Sequence, residues 1–227
     1  MVCASACSSG RPAPDARRRR GAGALVPDRK ETNRYSWDRL PPVAFQPAGP
    51  LSTAISARGI TDFQAAGRYL HALPYGRTAD RADFRAVLRE GKGTCSTKHA
   101  LLAALAHEQA LPVVLMLGIY AMHERNTPGV GAVLARSGLV SLPEAHCCLM
   151  YAGLRIDVTR SGADPTEPSS QFLHEEAIAP AQIGAYKVTL HRHWLQDWVS
   201  NHREVLKGLD FEDVWRIREA CIAALAQ

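Results

Sequence analysis

Residues 95–109 restrict this chain more than any other stretch, because they read as a helix that is apolar nearly all round. Leu101, Leu102 and Leu105 share it with Ala100, Ala103, Ala104 and Ala106, and Ala110 and Pro112 follow. A helix with no polar face needs cover on most sides. Other elements must therefore surround it. Before it, Thr61-Asp62-Phe63-Gln64 reads as a capping box opening a helix to about Leu73, and a second helix is expected over 80–90, stopped by Gly91. After it, 113–120 reads as a buried strand and 128–136 as a short helix. Residues 142–151 and 154–159 read as a β-hairpin turning at Ala152-Gly153. The stretch 160–185 reads as loop with some helix, and 190–206 and 210–226 as terminal helices, the last capped by Asp210. Helices, then strands, then helices imply an α+β fold, with a helix bundle packed on an antiparallel sheet.

The helix also begins at a cysteine. Cys95 follows Gly91-Lys92-Gly93-Thr94. A thiol attacks as the thiolate, so its proton must be removed or its pKa lowered. The unpaired N–H groups and positive dipole end of a helix start favour an anion, and a backbone N–H there can serve an oxyanion. The glycines let the chain bend and a substrate approach. Gly-Thr-Cys alone is a weak signal, since a free cysteine is more often a small buried hydrophobe.

The hairpin supplies the rest. With a two-residue turn, Tyr151 faces Leu154, Cys148 faces Asp157 and His146 faces Thr159. Side chains alternate by two, so His146, Cys148, Asp157 and Thr159 share one face. His146 and Asp157 become diagonal neighbours within side-chain reach. A carboxylate there can hold the imidazole's tautomer and stabilise its cation.

Gly93-Thr94-Cys95 heading an Ala/Leu-rich helix, Glu144-Ala145-His146 on a later strand and Arg155-Ile156-Asp157-Val158-Thr159 on the next resemble the transglutaminase-like superfamily, over roughly residues 60–160. The resemblance implies a papain-like fold in which a cysteine at a helix start faces a sheet bearing histidine and aspartate. It implies Cys95 as nucleophile, His146 as general base and acid, and Asp157 as the orienting acid. A second oxyanion donor is expected upstream; Tyr75 is the candidate, and Gln64 its rival. Where the family often has His-x-Trp, Cys148 stands in the Trp position.

Other residues are weighed against these. His99, one turn after Cys95, is a rival base but reads better as a hydrogen-bonded core histidine. Cys148 is a candidate redox partner for Cys95, and Cys147 is expected to face away and pack. His191 and His193 lie two apart without further ligands at metal spacing, and no downstream pair completes Cys3-x-x-x-Cys7, so no metal is expected.

Charge and composition close off several classes. The net charge is +5, but residues 1–40 hold nine Lys/Arg against four Asp/Glu, and residues 41–227 are balanced. Residues 1–50 are thus expected to be a disordered or loosely packed basic leader, and 51–227 a single domain. No basic patch interleaved with aromatics and no phosphate loop points to nucleic acid or nucleotide. No apolar run is long enough to span a membrane. Six cysteines without a secreted spacing pattern, and no signal peptide, place the chain in the cytoplasm.

The expectation is a thiol-dependent acyl-transfer enzyme, without cofactor, that hydrolyses an amide or isopeptide of a protein, peptide or small molecule. An amide-forming transferase and a non-catalytic binding module of the same fold remain alternatives, as does a Cys95–Cys148 redox pair.

Overall fold

The computed structural model describes residues 36–160 and 172–226. A 3-10 turn at Ser36–Arg39 leads to α1 (Pro50–Ser56), α2 (Phe63–Ala72), α3 (Ala86–Glu90) and α4 (Cys95–Glu108). Then come β1 (Val114–Met122), α5 (Gly131–Arg136), β2 (Leu142–Tyr151), β3 (Leu154–Ile156) and β4 (Phe172–Ala177). The chain continues through α6 (Ala185–Asn201), α7 (Arg203–Leu206) and α8 (Phe211–Ala224). The strands form one antiparallel sheet in the order β3-β2-β1-β4. This is an α+β architecture.

The all-apolar helix α4 has the burial its composition demands: Ala100, Leu101, Leu102, Leu105 and Ala106 are fully buried. They pack with α1 to α3 on one side and with Leu115, Leu117, Ile119, Ala145, Cys147 and Leu149 on the other. Those strand residues alternate by two and form one sheet face. The opposite face contributes Tyr120, Met122 and Leu142 to a second core, closed by α5, α6 and α8. The sheet is thus covered on one face by the early helices and on the other by the late ones. No helix of the described residues is long and apolar enough to cross a membrane.

Several boundaries differ from the sequence reading. Packing starts earlier than residue 51: Leu40 is 2% exposed and belongs to the main core. Residues 1–35, with the arginine run, Cys3 and Cys7, lie outside the described residues. The cap of α2 is Asp62, which accepts from the Ala65 N–H at 2.7 Å, not Thr61. Gln64 is therefore no capping partner, and its amide donates to the Asp38 carbonyl at 2.6 Å. The expected helix over 80–90 survives only as α3. Asp80 and Asp83 accept from the N–H groups two residues on, of Ala82 and Arg85, and these side-chain turns displace the first helical turns. The described part of 160–185, expected as loop with some helix, contains β4, which pairs with β1. Finally, α6 starts at Ala185 instead of 190, which brings Lys187 onto the helix.

Candidate active site

The hairpin has the register that a two-residue turn dictates: Tyr151 faces Leu154 and Leu149 faces Ile156. Ala152 and Gly153 both take positive φ, 50° and 75°, as the tightest hairpin turns require. The second strand ends at Ile156 rather than at Thr159. The physical reason lies in α4. The next ladder pair would join Cys147 to Val158 through their backbones. Instead the Val158 N–H donates to His99 Nε2 at 2.8 Å, and the Cys147 N–H acts on the sulfur of Cys95, which it helps to hold as a thiolate. Two residues one turn apart on α4 therefore take the place of the ladder, and the helix start is wedged into the opened sheet edge.

Cys95 is the first residue of α4, after the N-cap Thr94, whose N–H donates to Thr97 Oγ1 at 3.0 Å. Gly93 is obligatory by space. A Cβ there would lie 2.9 Å from Lys98 Cγ and 3.0 Å from Val87 Cγ2. Its backbone pairs with that of Tyr75, which ties the Tyr75 loop to the helix start. Lys98, wholly buried, clamps the same region: its ammonium donates to the Leu73 carbonyl at 2.7 Å and the Thr159 carbonyl at 2.8 Å. The segments carrying Tyr75 and Asp157 are thereby held by one nitrogen.

His146 Nε2 lies 2.6 Å from Asp157 Oδ2, and His146 and Cys95 are near enough that each shifts the other's ionisation. With Nε2 on the carboxylate, Nδ1 is the nitrogen left for the thiol. Asp157 is fixed in turn by the Thr159 N–H, 2.8 Å from Oδ1. Tyr120 stands edge-on to the His146 ring at 5.9 Å and edge-on to Phe172 at 6.4 Å. Phe172 fits only because position 118 is glycine: a Cβ on Gly118 would lie 2.3 Å from its ring. The structure thus brings Cys95, His146 and Asp157 together, with His146 hydrogen-bonded to Asp157 and electrostatically coupled to Cys95.

Charge follows from that grouping. Burial pushes the Cys95 thiol up, but the Lys187 ammonium and His146 outweigh it and bring it down to about 6. Burial lowers His146, yet the Asp157 carboxylate and Cys95 hold it well above its usual value. Asp157 sits far below the carboxylate range: burial opposes this, but His146 and the bonds to it prevail. The favoured state is a thiolate beside an imidazolium. His99 is different. Burial drives it down to about 4, and its Nε2 accepts from Val158 while Nδ1 lies 2.7 Å from the Cys95 carbonyl. Both nitrogens of this neutral ring are used in structure, which leaves it no part as a base.

A cavity of about 380 Å³ opens over Cys95, walled by the Tyr75–Arg81 loop, the start of α4, and helices α6 and α8. Tyr75 lines it, with no side-chain hydrogen bond among the described residues. Burial, reinforced by Cys95, pushes the phenol up, so it stays protonated as a donor. The terminal helices supply a charged wall. Glu144, two residues before His146 on the same strand face, is clasped by Arg218 at 2.6 and 2.7 Å. Arg218 also bonds Glu219, which pairs with Arg77 at 2.6 Å. Lys187 Nζ lies 2.6 Å from Ser96 Oγ and 3.9 Å from the Cys95 sulfur.

Sequence reasoning missed Lys187, Lys98, Arg218 and Glu144. Only Glu144 left a signal: the alternation that puts His146 inward puts Glu144 there too. The cysteine assignments are sharpened as well. Cys147 lies on the sheet face opposite Cys148 and packs, as expected, but it packs against α4, near Cys95. Cys148 is held high by burial, with Asp157 adding to it, and its bonding partner is Arg155. His191 Nε2 donates to the Pro143 carbonyl at 2.9 Å, while His193 is exposed and faces Asp197. Among the described residues no group of three or more His, Cys, Asp or Glu is placed to hold a metal ion.

Comparisons with protein-family models, with curated proteins and with solved structures found no match to this chain.

Proposed function

We propose that this protein is a thiol-dependent acyl-transfer enzyme of papain-like, transglutaminase-like architecture, hydrolysing an amide or isopeptide. The observation that carries the reading is the grouping of Cys95 with the hydrogen-bonded His146–Asp157 pair at the head of α4, on the floor of an open cavity. The thiolate of Cys95 attacks the carbonyl carbon. The oxyanion takes donors from the Cys95 N–H, which has no acceptor inside its helix, and from the Tyr75 hydroxyl. His146 gives its proton to the leaving amine, which departs and leaves a thioester on Cys95. The now neutral imidazole draws a proton from water, the hydroxide attacks the thioester, and acid and thiolate are restored. Asp157 holds the ring and balances its charge. Hydrolysis is preferred over amide formation because water needs no second binding site. The substrate is a protein, a peptide or a small amide. A cytoplasmic setting suits the four free cysteines of the described residues, Cys95, Cys147, Cys148 and Cys221.

A nucleophile coupled to its base under an open cavity favours this reading over a binding module that has lost the reaction. The test is acylation by p-nitrophenyl acetate, followed by peptide mass spectrometry. The expected result is an acetyl group on Cys95 that water removes, slowed by His146→Ala and lost in Cys95→Ala. Acetylation spread over surface lysines, with Cys95 unmodified, defeats the reading.

A further inference from the structure

We propose, on the strength of that reading, that the cavity beside Cys95 is a subsite for a carboxylate on the substrate, within a few atoms of the carbonyl attacked. Four cations line the cavity: Arg77, Arg81, Lys187 and Arg218. Two carboxylates face them, and both are committed. Glu144 is bound through both oxygens by Arg218, and Glu219 is shared between Arg77 and Arg218. Lys187 and Arg81 have no ion-pair partner among the described residues. Lys187 is only 9% exposed, and its ammonium touches one neutral hydroxyl and the sulfur. A buried ammonium needs counter-charge or several acceptors; Lys98 has two carbonyls, whereas Lys187 has one hydroxyl and the sulfur. The thiolate provides the counter-charge at rest, but attack on a carbonyl neutralises the sulfur. A substrate carboxylate restores the balance at that moment. Arg81 stands at the exposed rim of the same wall, where it draws an anion inward. The volume, about 380 Å³, suits a group of one or two amino-acid residues. The favoured substrate is therefore a carboxylated amide, such as a peptide cut beside a free carboxyl end or an acidic residue.

Alkylation tests this without a known substrate. Iodoacetate and iodoacetamide consume the same thiolate, each displacing iodide to form a thioether. The ratio of their rates cancels the thiolate fraction and reads only the surrounding charge. That ratio at Cys95 is expected to exceed the ratio for glutathione by about tenfold or more, as opposite charge at short range dictates. Lys187→Met should bring it close to the glutathione value. Arg81→Gln, an exposed change that leaves the core intact, should lower it about twofold to threefold. A wild-type ratio equal to glutathione's, with rapid iodoacetamide labelling of Cys95, overturns the carboxylate subsite alone. An unchanged ratio in both variants overturns it as well. Slow labelling of Cys95 by both reagents, no faster than of Cys221, overturns the nucleophile and the subsite together.

Discussion

Asp157 and Glu144 are two carboxylates beside one cysteine, and their partners make them different devices. Asp157 binds an imidazole, which can take or release a proton near neutral pH. Glu144 binds a guanidinium, which cannot. The first pair is linked to the thiol through His146 and can change charge during a reaction. The second holds a constant charge and joins β2 to α8 across the cavity. In the proposed reaction they divide the work: one pair moves protons, and the other fixes walls and field.

The largest effect that sharpens this contrast is expected on the mobile side. Asp157→Asn keeps the shape but removes the charge that holds His146 protonated, and should slow acylation of Cys95 at pH 7 by about 10³-fold or more. Urea denaturation of the same variant should show a much smaller loss of stability than its loss of rate. The fixed side should respond the other way round. Glu144→Gln leaves Arg218, 11% exposed, with only its share of the Glu219 carboxylate. The loss should be about 1–3 kcal/mol of folding free energy, measured by the same denaturation. A stable Glu144→Gln protein with a dead Cys95 would break the division.

Tyr75→Phe comes next. It removes one donor to the oxyanion and should cut turnover by about 10²-fold with little change in KM, read by steady-state kinetics on any ester or amide that acylates Cys95. The smallest effect is expected at Lys187, because His146 remains. The thiolate is the reactive form, so iodoacetamide labelling of Cys95 should rise with pH through about 6. In Lys187→Met the rise should move upward by about one pH unit, which is about a tenfold loss of rate at pH 6. Cys221, raised by burial to about 11, should stay silent throughout and serve as the internal reference.

The same contrast explains what could be read from the chain alone. His146 and Asp157 were legible because a tight hairpin is local: a turn of two residues and a period of two decide which side chains meet. Cys95 was legible because α4 announces itself by composition. Lys187 and Arg218 were not. They reach the cavity from α6 and α8, whose rotation about their own axes depends on packing against the sheet, and a lone Lys or Arg on a helix reads as a solvated face. Lys98 was hidden for the opposite reason. It is a charge inside an apolar helix, and its partners are carbonyls from segments far away in sequence. The end of β3 was misjudged because His99 and Cys95, not the partner strand, satisfy the next backbone groups.

The rings around His146 carry one more consequence. Tyr120 stands against the imidazole, Phe172 steadies Tyr120, and Asp157 holds the far nitrogen. A side chain so enclosed has one rotamer left to it. The disorder that an aligned base must give up is surrendered once, when the chain folds, and is not demanded again at each encounter with substrate. In the proposed reaction the missing side chain of Gly118, by making room for Phe172, would remove a share of the activation entropy from each turnover.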